Sequence, residues 1–211
     1  MPSYKLIYFD ARARGEPARM LFALKGQEFE DVRFAYGDQE WLKVKGDKAR
    51  FPLGRLPVLE IDGKILSQSR AVWRYLAREF GYYGNNNKES SAIDEILGVV
   101  VDFEVAMATA FDEPDADKRV AGLLKLRDTK LKPFYEFFEE SLHKSGGIYY
   151  VGNKLTLADL VIFNIMDFFI EGAFYIKDYF MPYPSLLNFY KFIKTESVLS
   201  AYLKARKYTP Y

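Results

Sequence analysis

Residues 51–70 read Phe51-Pro-Leu-Gly-Arg-Leu-Pro-Val-Leu-Glu-Ile-Asp-Gly-Lys-Ile-Leu-Ser-Gln-Ser-Arg70 and predict a β-hairpin followed at once by a helix. Pro57 precedes a short apolar run that ends at Asp62-Gly63. That dipeptide is typical of a two-residue hairpin turn, in which both central residues take positive φ. A second arm then leads into Ser67-Gln68-Ser69, where apolar residues begin to recur at helical spacing.

Pro57 also indicates a place where a ligand could pair with the backbone. Proline cannot donate a ladder hydrogen bond, so it belongs at an edge or at the first residue of a strand, which leaves the backbone of Leu56 available to another partner. The N-terminus of the following helix presents unpaired N–H groups and a partial positive charge. Together these features suit a small peptide that carries a carboxylate. The alternative is an ordinary sheet edge without a ligand.

Composition excludes several classes of function. The chain has 211 residues, no cysteine and a single histidine, so disulfides, thiolate metal sites, a cysteine nucleophile and a multi-histidine metal site are excluded, and we expect no metal. The formal net charge of +1 gives no field that would recruit nucleic acid or an anionic membrane. The N-terminus lacks the pattern of a secretory signal, so a cytoplasmic protein is expected.

The chain divides into two halves with different patterns. The first half predicts a strand at Tyr4 to Phe9, a helix that opens at Glu16-Pro17 and a second strand at Glu28 to Phe34, followed by the hairpin and its helix. A Gly- and Asn-rich segment then indicates a linker. We therefore predict an α+β fold, with a sheet domain over residues 1–81, a linker over 82–88 and an all-helical domain over 89–211.

Long apolar patterns in the second half predict its helices. One spans Ile93 to Phe111, and another spans Leu123 to Leu142 with a bend at Pro133. Thr156 and Asp159 form a capping-box pattern at the start of a further helix that ends at Ile170. That helix is apolar nearly all round, so we expect it in the centre of the domain and not across a membrane. Shorter helices are predicted over 185–194 and 198–206.

A set of short motifs occurs in order along the whole chain. They are Tyr4-Lys-Leu-Ile-Tyr8-Phe9, Arg14, Trp41, Lys45, Leu56-Pro57-Val58-Leu59, Gln68-Ser69-Arg70-Ala71, Arg74-Tyr75-Leu76-Ala77 and Gly152-Asn-Lys-Leu-Thr-Leu-Ala-Asp159. Together, and at matching spacing, they resemble the cytosolic glutathione S-transferases. The sigma-type branch, which includes nematode enzymes and haematopoietic prostaglandin D synthase, is the most similar. The resemblance implies a thioredoxin-like N-terminal domain and an all-helical C-terminal domain.

The resemblance implies that Tyr8 donates a hydrogen bond to the sulfur of glutathione and that Arg14 adds positive potential nearby. Only a thiolate is an effective nucleophile, and a free thiol has a pKa of about 8.5, so a positioned donor promotes ionisation. The nucleophile then belongs to the co-substrate, glutathione. This explains how a chain without cysteine can perform thiol chemistry.

The family pattern also implies the residues that hold glutathione. Trp41 and Lys45 would bind its glycine end, Leu56 before a cis Pro57 would pair with its cysteinyl unit, and Gln68 and Ser69 would bind its γ-glutamyl carboxylate. Asp102 would reach the γ-glutamyl amine across a dimer, unless it is a solvated helix carboxylate. Arg55 stands where most relatives carry Gln; it either supplies a second cation or is simply exposed.

A second, apolar substrate site is expected beside glutathione. The candidate residues are each as compatible with core packing as with a cleft, and they are Ala13, Met107, Phe111, Ile165, Tyr208 and Tyr211.

The resemblance therefore implies a glutathione transferase that conjugates small hydrophobic electrophiles, as a homodimer or as a heterodimer with related subunits. One alternative is a glutathione-dependent isomerase of a prostaglandin-like endoperoxide. Another is a crystallin-like carrier of glutathione or hydrophobic ligands without catalysis.

Overall fold

The computed structural model describes residues 2–35, 37–108, 113–172, 174, 176 and 178–209. The chain packs as two compact units, the first comprising Met1–Tyr83 with Val198–Tyr211 and the second Gly84–Ser197. The domain boundaries expected from the sequence stay a prediction. The packing differs from them at the C-terminus, because the end of the chain packs with the N-terminal unit.

The first unit is built on a four-stranded mixed sheet. Its strands are β1 Tyr4–Phe9, β2 Glu30–Phe34, β3 Val58–Ile61 and β4 Lys64–Ser67. Their order in the sheet is β2-β1-β3-β4, in which β1 pairs in parallel with β2 and antiparallel with β3, and β3 pairs antiparallel with β4. The helices of this unit are α1 Glu16–Lys25, α2 Gln39–Val44, α3 Ser69–Phe80 and, from the end of the chain, α9 Ser200–Ala205. The expected thioredoxin-like sheet with helices is confirmed.

The hairpin predicted around Asp62-Gly63 is confirmed. Asp62 has φ 49° and Gly63 has φ 80°, so both central residues take the positive φ that the tight turn requires. The Leu56–Pro57 peptide bond is cis. Strand pairing starts at Val58, opposite Ile7 and Ser67, so Leu56 lies before the paired part of the strand.

A buried apolar cluster fixes the position of the sheet against the segment that follows α2. Ile7, Trp41, Phe51 and Val58 form this cluster, and the ring centroids of Trp41 and Phe51 are 5.0 Å apart. Full burial of such a side chain stabilises a fold by roughly 1.5–3 kcal/mol. The cluster therefore holds the loop before Pro57 against the sheet.

The described residues of the second unit form helices and no strand. The helices are α4 Asn87–Met107, α5 Ala116–Arg127, α6 Lys132–Lys144, α7 Leu157–Ile170 and α8 Pro184–Thr195. The single bent helix expected from Leu123 to Leu142 is wrong. Pro133 instead lies in the first turn of α6, where its missing N–H would have had no intrahelical partner.

Helix α4 begins earlier than the sequence pattern predicted, inside the segment that was expected to be a linker. The side chain of Asn86 accepts a hydrogen bond of 3.0 Å from the N–H of Glu89 and so acts as the N-cap. Asparagine disfavours the interior of a helix but is among the best residues at this position. The Asn run therefore starts the helix instead of only preceding it.

Helix α7 is the buried helix that the sequence predicted, and its capping box is confirmed. The carboxylate of Asp159 accepts hydrogen bonds from the N–H of Thr156 at 2.7 Å and from the N–H of Tyr150 at 2.8 Å. Burial raises the pKa of Asp159 to about 6. Within the described residues, no helix is long and apolar enough to cross a membrane.

Candidate functional site

Tyr8 lies near the end of β1 and its hydroxyl is bound by the backbone of the next turn. The chain turns back through a short 3-10 segment, Ala13–Gly15, and the N–H of Arg14 donates a 3.2 Å hydrogen bond to the Tyr8 oxygen. The indole N–H of Trp73 donates to the carbonyl of Arg14 at 3.0 Å. Accepting the Arg14 bond uses a lone pair of the Tyr8 oxygen. It also makes the phenolic O–H a stronger donor.

The ring of Tyr8 packs directly against Gly15. A Cβ added at Gly15 would lie 2.5 Å from Tyr8 Cδ1 and 3.1 Å from a terminal nitrogen of Arg19. The Arg19 guanidinium lies 6.0 Å from the centroid of the Tyr8 ring. Only 7% of Tyr8 is exposed, so the ring is confined on several sides. The structure therefore leaves the hydroxyl little freedom of position.

A small pocket of about 50 Å³ lies beside this turn. It contains six of the predicted site residues and belongs entirely to the first unit. The exposed side chains of Arg14 and Arg55 give it positive charge, and the start of α3 adds backbone N–H groups. Its lining is Arg14, Leu53, Arg55, Leu56, Pro57, Ser67, Gln68 and Ser69. A cationic pocket of this kind suits a small anionic ligand.

Gln68 holds an unusual backbone conformation at the edge of the pocket. Its φ is 75° and its ψ is 116°, a conformation that costs a non-glycine residue about 1–3 kcal/mol. Its carbonyl accepts from the N–H groups of Ala71 and Val72, both at 3.0 Å, which anchors the residue to the first turn of α3. Strain held in this way is characteristic of functional sites.

Trp41 and Lys45 have different environments. Trp41 is mostly a core residue, with its ring 5.9 Å from Phe9 and only 8% of it exposed. Lys45 is exposed at the end of α2. Its carbonyl lies 3.2 Å from the Cβ position of Gly54, so its backbone contacts the loop that carries Arg55. Their contact with the glycine end of a ligand stays a prediction.

The remaining predicted residues are spread over both units. Ala13 is half-buried in the turn after Tyr8, and Tyr208 is 71% exposed with the Arg12 guanidinium 5.7 Å from its ring. In the second unit, Asp102 is exposed on α4 and Met107 is buried at its end. Ile165 is half-buried on α7. Phe111 and Tyr211 lie outside the described residues.

Sequence reasoning missed the residues that support Tyr8. Gly15 belongs to no turn dipeptide, and Trp73 looks like an ordinary apolar residue of α3. Arg19 carried a usable signal, because it is a charged residue inside the apolar run from Pro17 to Phe22. Arg is rarely fully buried unless it is paired. Among the described residues, no group of three or more His, Asp or Glu side chains is placed to hold a metal ion.

Comparison with known proteins matches both units to one family. Residues 4–78 match the family model of the glutathione S-transferase N-terminal domain, and residues 101–206 match that of the C-terminal domain. The chain belongs to the glutathione S-transferase family. Glutathione is thus the co-substrate, and the pocket beside Tyr8 lies in the part of the chain that matches the N-terminal domain.

Similar proteins cover the whole chain. Glutathione S-transferase 1 of Ascaris suum is 35% identical over 100% of both chains, and S-crystallin SL11 of Nototodarus sloanii is 32% identical over 100% of both. The structure of a Fasciola hepatica sigma class transferase superposes with a TM-score of 0.86 at 32% identity, over 100% of this chain and 99% of that one. A transferase of the hookworm Necator americanus, described as monomeric, superposes with a TM-score of 0.82 at 32% identity over 99% and 100%. This transferase is therefore of the sigma-like, nematode type.

Proposed function

We propose that this transferase binds glutathione in the pocket beside Tyr8, stabilises its thiolate and transfers it to small hydrophobic electrophiles, as in detoxification. One observation carries the proposal. Arg14 lines the pocket, and its backbone N–H donates a hydrogen bond to the Tyr8 hydroxyl. A ligand that fills the pocket would therefore lie next to a phenolic hydrogen-bond donor.

The pocket offers a partner for each charged or polar part of glutathione. Gln68 and Ser69, at the start of α3, face the γ-glutamyl carboxylate in this proposal, and the backbone of Leu56 pairs with the cysteinyl unit. Lys45 and Arg55 are the cations for the glycine carboxylate, next to Trp41. With both ends held, the sulfur is directed towards Tyr8. Positioning of this kind lowers the barrier mainly by supplying a favourable orientation in advance.

The chemical step needs little from the protein beyond stabilised charge. The thiolate forms a carbon–sulfur bond with the electrophile, an aryl halide releases its halide, and the thiol proton passes to solvent. Tyr8 donates to the sulfur while it carries negative charge, and Arg14 adds positive potential. The residues proposed for the apolar electrophile are those expected from the sequence, namely Ala13, Met107, Phe111, Ile165, Tyr208 and Tyr211.

Conjugation of an aryl halide tests this function. Purified protein, glutathione and the halide should give product well above the uncatalysed rate, and Tyr8→Phe should remove most of that activity. Tyr149→Phe is a matched control, because Tyr149 is half-buried in the second unit and packs its ring on Phe192. Equal activity in wild type and Tyr8→Phe would overturn the role of Tyr8. Glutathione binding without turnover would instead favour the alternative of a crystallin-like carrier.

We further propose that the protein acts in the cytoplasm as a dimer, with Asp102 reaching the γ-glutamyl amine of glutathione bound by the other subunit. The exposure of Asp102 on α4 is compatible with this role. Because the hookworm relative is described as monomeric, sedimentation should measure the oligomeric state directly. A dimer whose glutathione affinity falls in Asp102→Asn would support the proposal, and a monomer of unchanged affinity would contradict it.

A further inference from the structure

A buried ion pair lies in α1, one turn beyond the site. Arg19 and Glu16 are each about 2% exposed, and a terminal nitrogen of Arg19 lies 3.4 Å from the Glu16 carboxylate. The Nε of Arg19 also donates to Asp31 at 3.0 Å. A buried pair of this kind becomes costly when one partner loses its hydrogen bonds. Its geometry therefore depends on every group that contacts it.

Arg19 connects this pair to the strand end that carries Tyr8. Its guanidinium donates to the carbonyl of Ala11 at 2.6 Å and to that of Phe9 at 3.4 Å. It also lies above the Tyr8 ring. The two carbonyls belong to the backbone between Tyr8 and the turn at Arg14, so Arg19 holds the segment whose path sets the position of the Tyr8 hydroxyl.

The end of the chain completes the same network. One oxygen of Glu16 accepts hydrogen bonds from the hydroxyl of Tyr202 and from Arg206, both at 3.0 Å, whereas the other oxygen faces Arg19. Burial, followed by the charge of Glu16, raises the pKa of Tyr202, so its hydroxyl stays protonated and donates. Residues separated by about the whole length of the chain are thus joined at one carboxylate.

We propose that Glu16 is a positioning residue for the Tyr8 hydroxyl, and that Tyr202 and Arg206 make the C-terminal segment part of this catalytic support. The inference rests on the proposed function of Tyr8. When both donors to one oxygen of Glu16 are removed, its carboxylate turns towards Arg19. The guanidinium then weakens its bonds to the Ala11 and Phe9 carbonyls. The segment from Phe9 to Arg14 loosens, and the hydroxyl stabilises the thiolate less well.

A purely structural role of the network would have a different effect. If Tyr202 and Arg206 only attached the end of the chain to α1, their loss would lower the free energy of unfolding and leave the bound thiol unchanged. If they position the Tyr8 hydroxyl, their loss also raises the pKa of the thiol in bound glutathione, because the donor that favours the thiolate is then misplaced. The pKa of bound glutathione therefore separates the two roles.

The decisive variant is the double substitution Tyr202→Phe with Arg206→Met, which leaves Glu16 and Arg19 in place. The ultraviolet absorbance of the bound thiolate is titrated with pH, and kcat/KM is followed over the same range. We expect the pKa of the bound thiol to rise by about one unit and kcat/KM at neutral pH to fall about tenfold, with the KM for glutathione nearly unchanged. A second double variant, Tyr202→Phe with Arg206→Lys, keeps the cation and should therefore regain part of the lost kcat/KM.

Two controls match this experiment. Lys204→Met changes an exposed residue of α9 and should behave as wild type. Glu139→Gln removes a carboxylate in the second unit that accepts hydrogen bonds from the N–H groups of Ser185 and Leu186, at 2.8 and 2.9 Å. It should lower the free energy of unfolding without changing the pKa of the bound thiol. A double variant with an unchanged thiol pKa and pH profile would overturn the inference, whatever its stability. A wild-type protein without bound thiolate would overturn the proposed function and the inference together.

Discussion

Gly15→Ala is the smallest change that should disturb Tyr8. Gly15 has φ −83° and ψ −30°, which any residue adopts, so alanine tests only the space available. The new Cβ would lie 2.5 Å from Cδ1 and 3.0 Å from Cγ of the Tyr8 ring. Carbon atoms prefer a separation of about 3.5–4.0 Å, so the ring has to move by roughly 1 Å.

The magnitude of both effects follows from this displacement. Overpacking of a well-packed site costs typically about 1–3 kcal/mol of stability. A misplacement of about 1 Å at a catalytic group can lower the rate by about 100-fold. We therefore expect kcat/KM for aryl halide conjugation to fall by 10- to 100-fold, as an order of magnitude. The affinity for glutathione should change less, because Leu56, Gln68 and Ser69 lie on other segments.

Steady-state conjugation kinetics and urea denaturation measure the two effects separately. Gly122→Ala is the matched control, since Gly122 lies in α5 with nothing within 4 Å of an added Cβ. Removal of a helical glycine should stabilise the protein by about 0.5–1 kcal/mol and leave kcat/KM unchanged. If Gly15→Ala kept its kcat/KM within about twofold of wild type, the reasoning that this contact positions Tyr8 would be refuted.

Two further predictions concern strain and pH. Gln68→Gly should keep or raise stability, because it relieves a positive φ, but it should weaken glutathione binding as measured by calorimetry. Asp62→Gly, a control that is also at positive φ, should leave that binding unchanged. Equal glutathione affinities in wild type and both variants would contradict a role of Gln68 in the site. Burial raises the pKa of Asp159 to about 6. Between about pH 4 and 6, the folded state therefore keeps a proton on this carboxyl that the unfolded chain has already released. The stability that this group contributes is therefore complete below about pH 4 and is lost as pH rises through 6, by up to about 3 kcal/mol. The stability advantage of wild type over Asp159→Asn in urea should accordingly narrow from pH 4 to pH 7, and a constant difference would contradict the shifted pKa.

Short-range signals in the sequence were sufficient for most of the fold. The Asp62-Gly63 turn, the strand at Tyr4–Phe9 and the capping box at Thr156 each depend on a few neighbouring residues, and all three are confirmed. The break between α5 and α6 was missed because Pro133 is compatible with either a bent helix or a first turn. Only the packing of the chain decides between these two.

Long-range contacts explain what the sequence could not predict about the site. The resemblance supplied Tyr8, Arg14, Gln68 and Ser69, and the structure brings the last three into one pocket. The bonds of Glu16 to Tyr202 and Arg206 span most of the chain. No local pattern marks such a pairing, because each residue alone fits an ordinary helix surface.

The most direct test of the account is the titration of glutathione bound to wild type and to Tyr8→Phe, with the thiolate detected by its ultraviolet absorbance. The account predicts that wild type holds the thiol pKa below the value of about 8.5 of a free thiol, and that the pKa in Tyr8→Phe returns towards it. The same titration curve for both proteins, or no bound glutathione in wild type, would contradict the central claim that Tyr8 stabilises the thiolate.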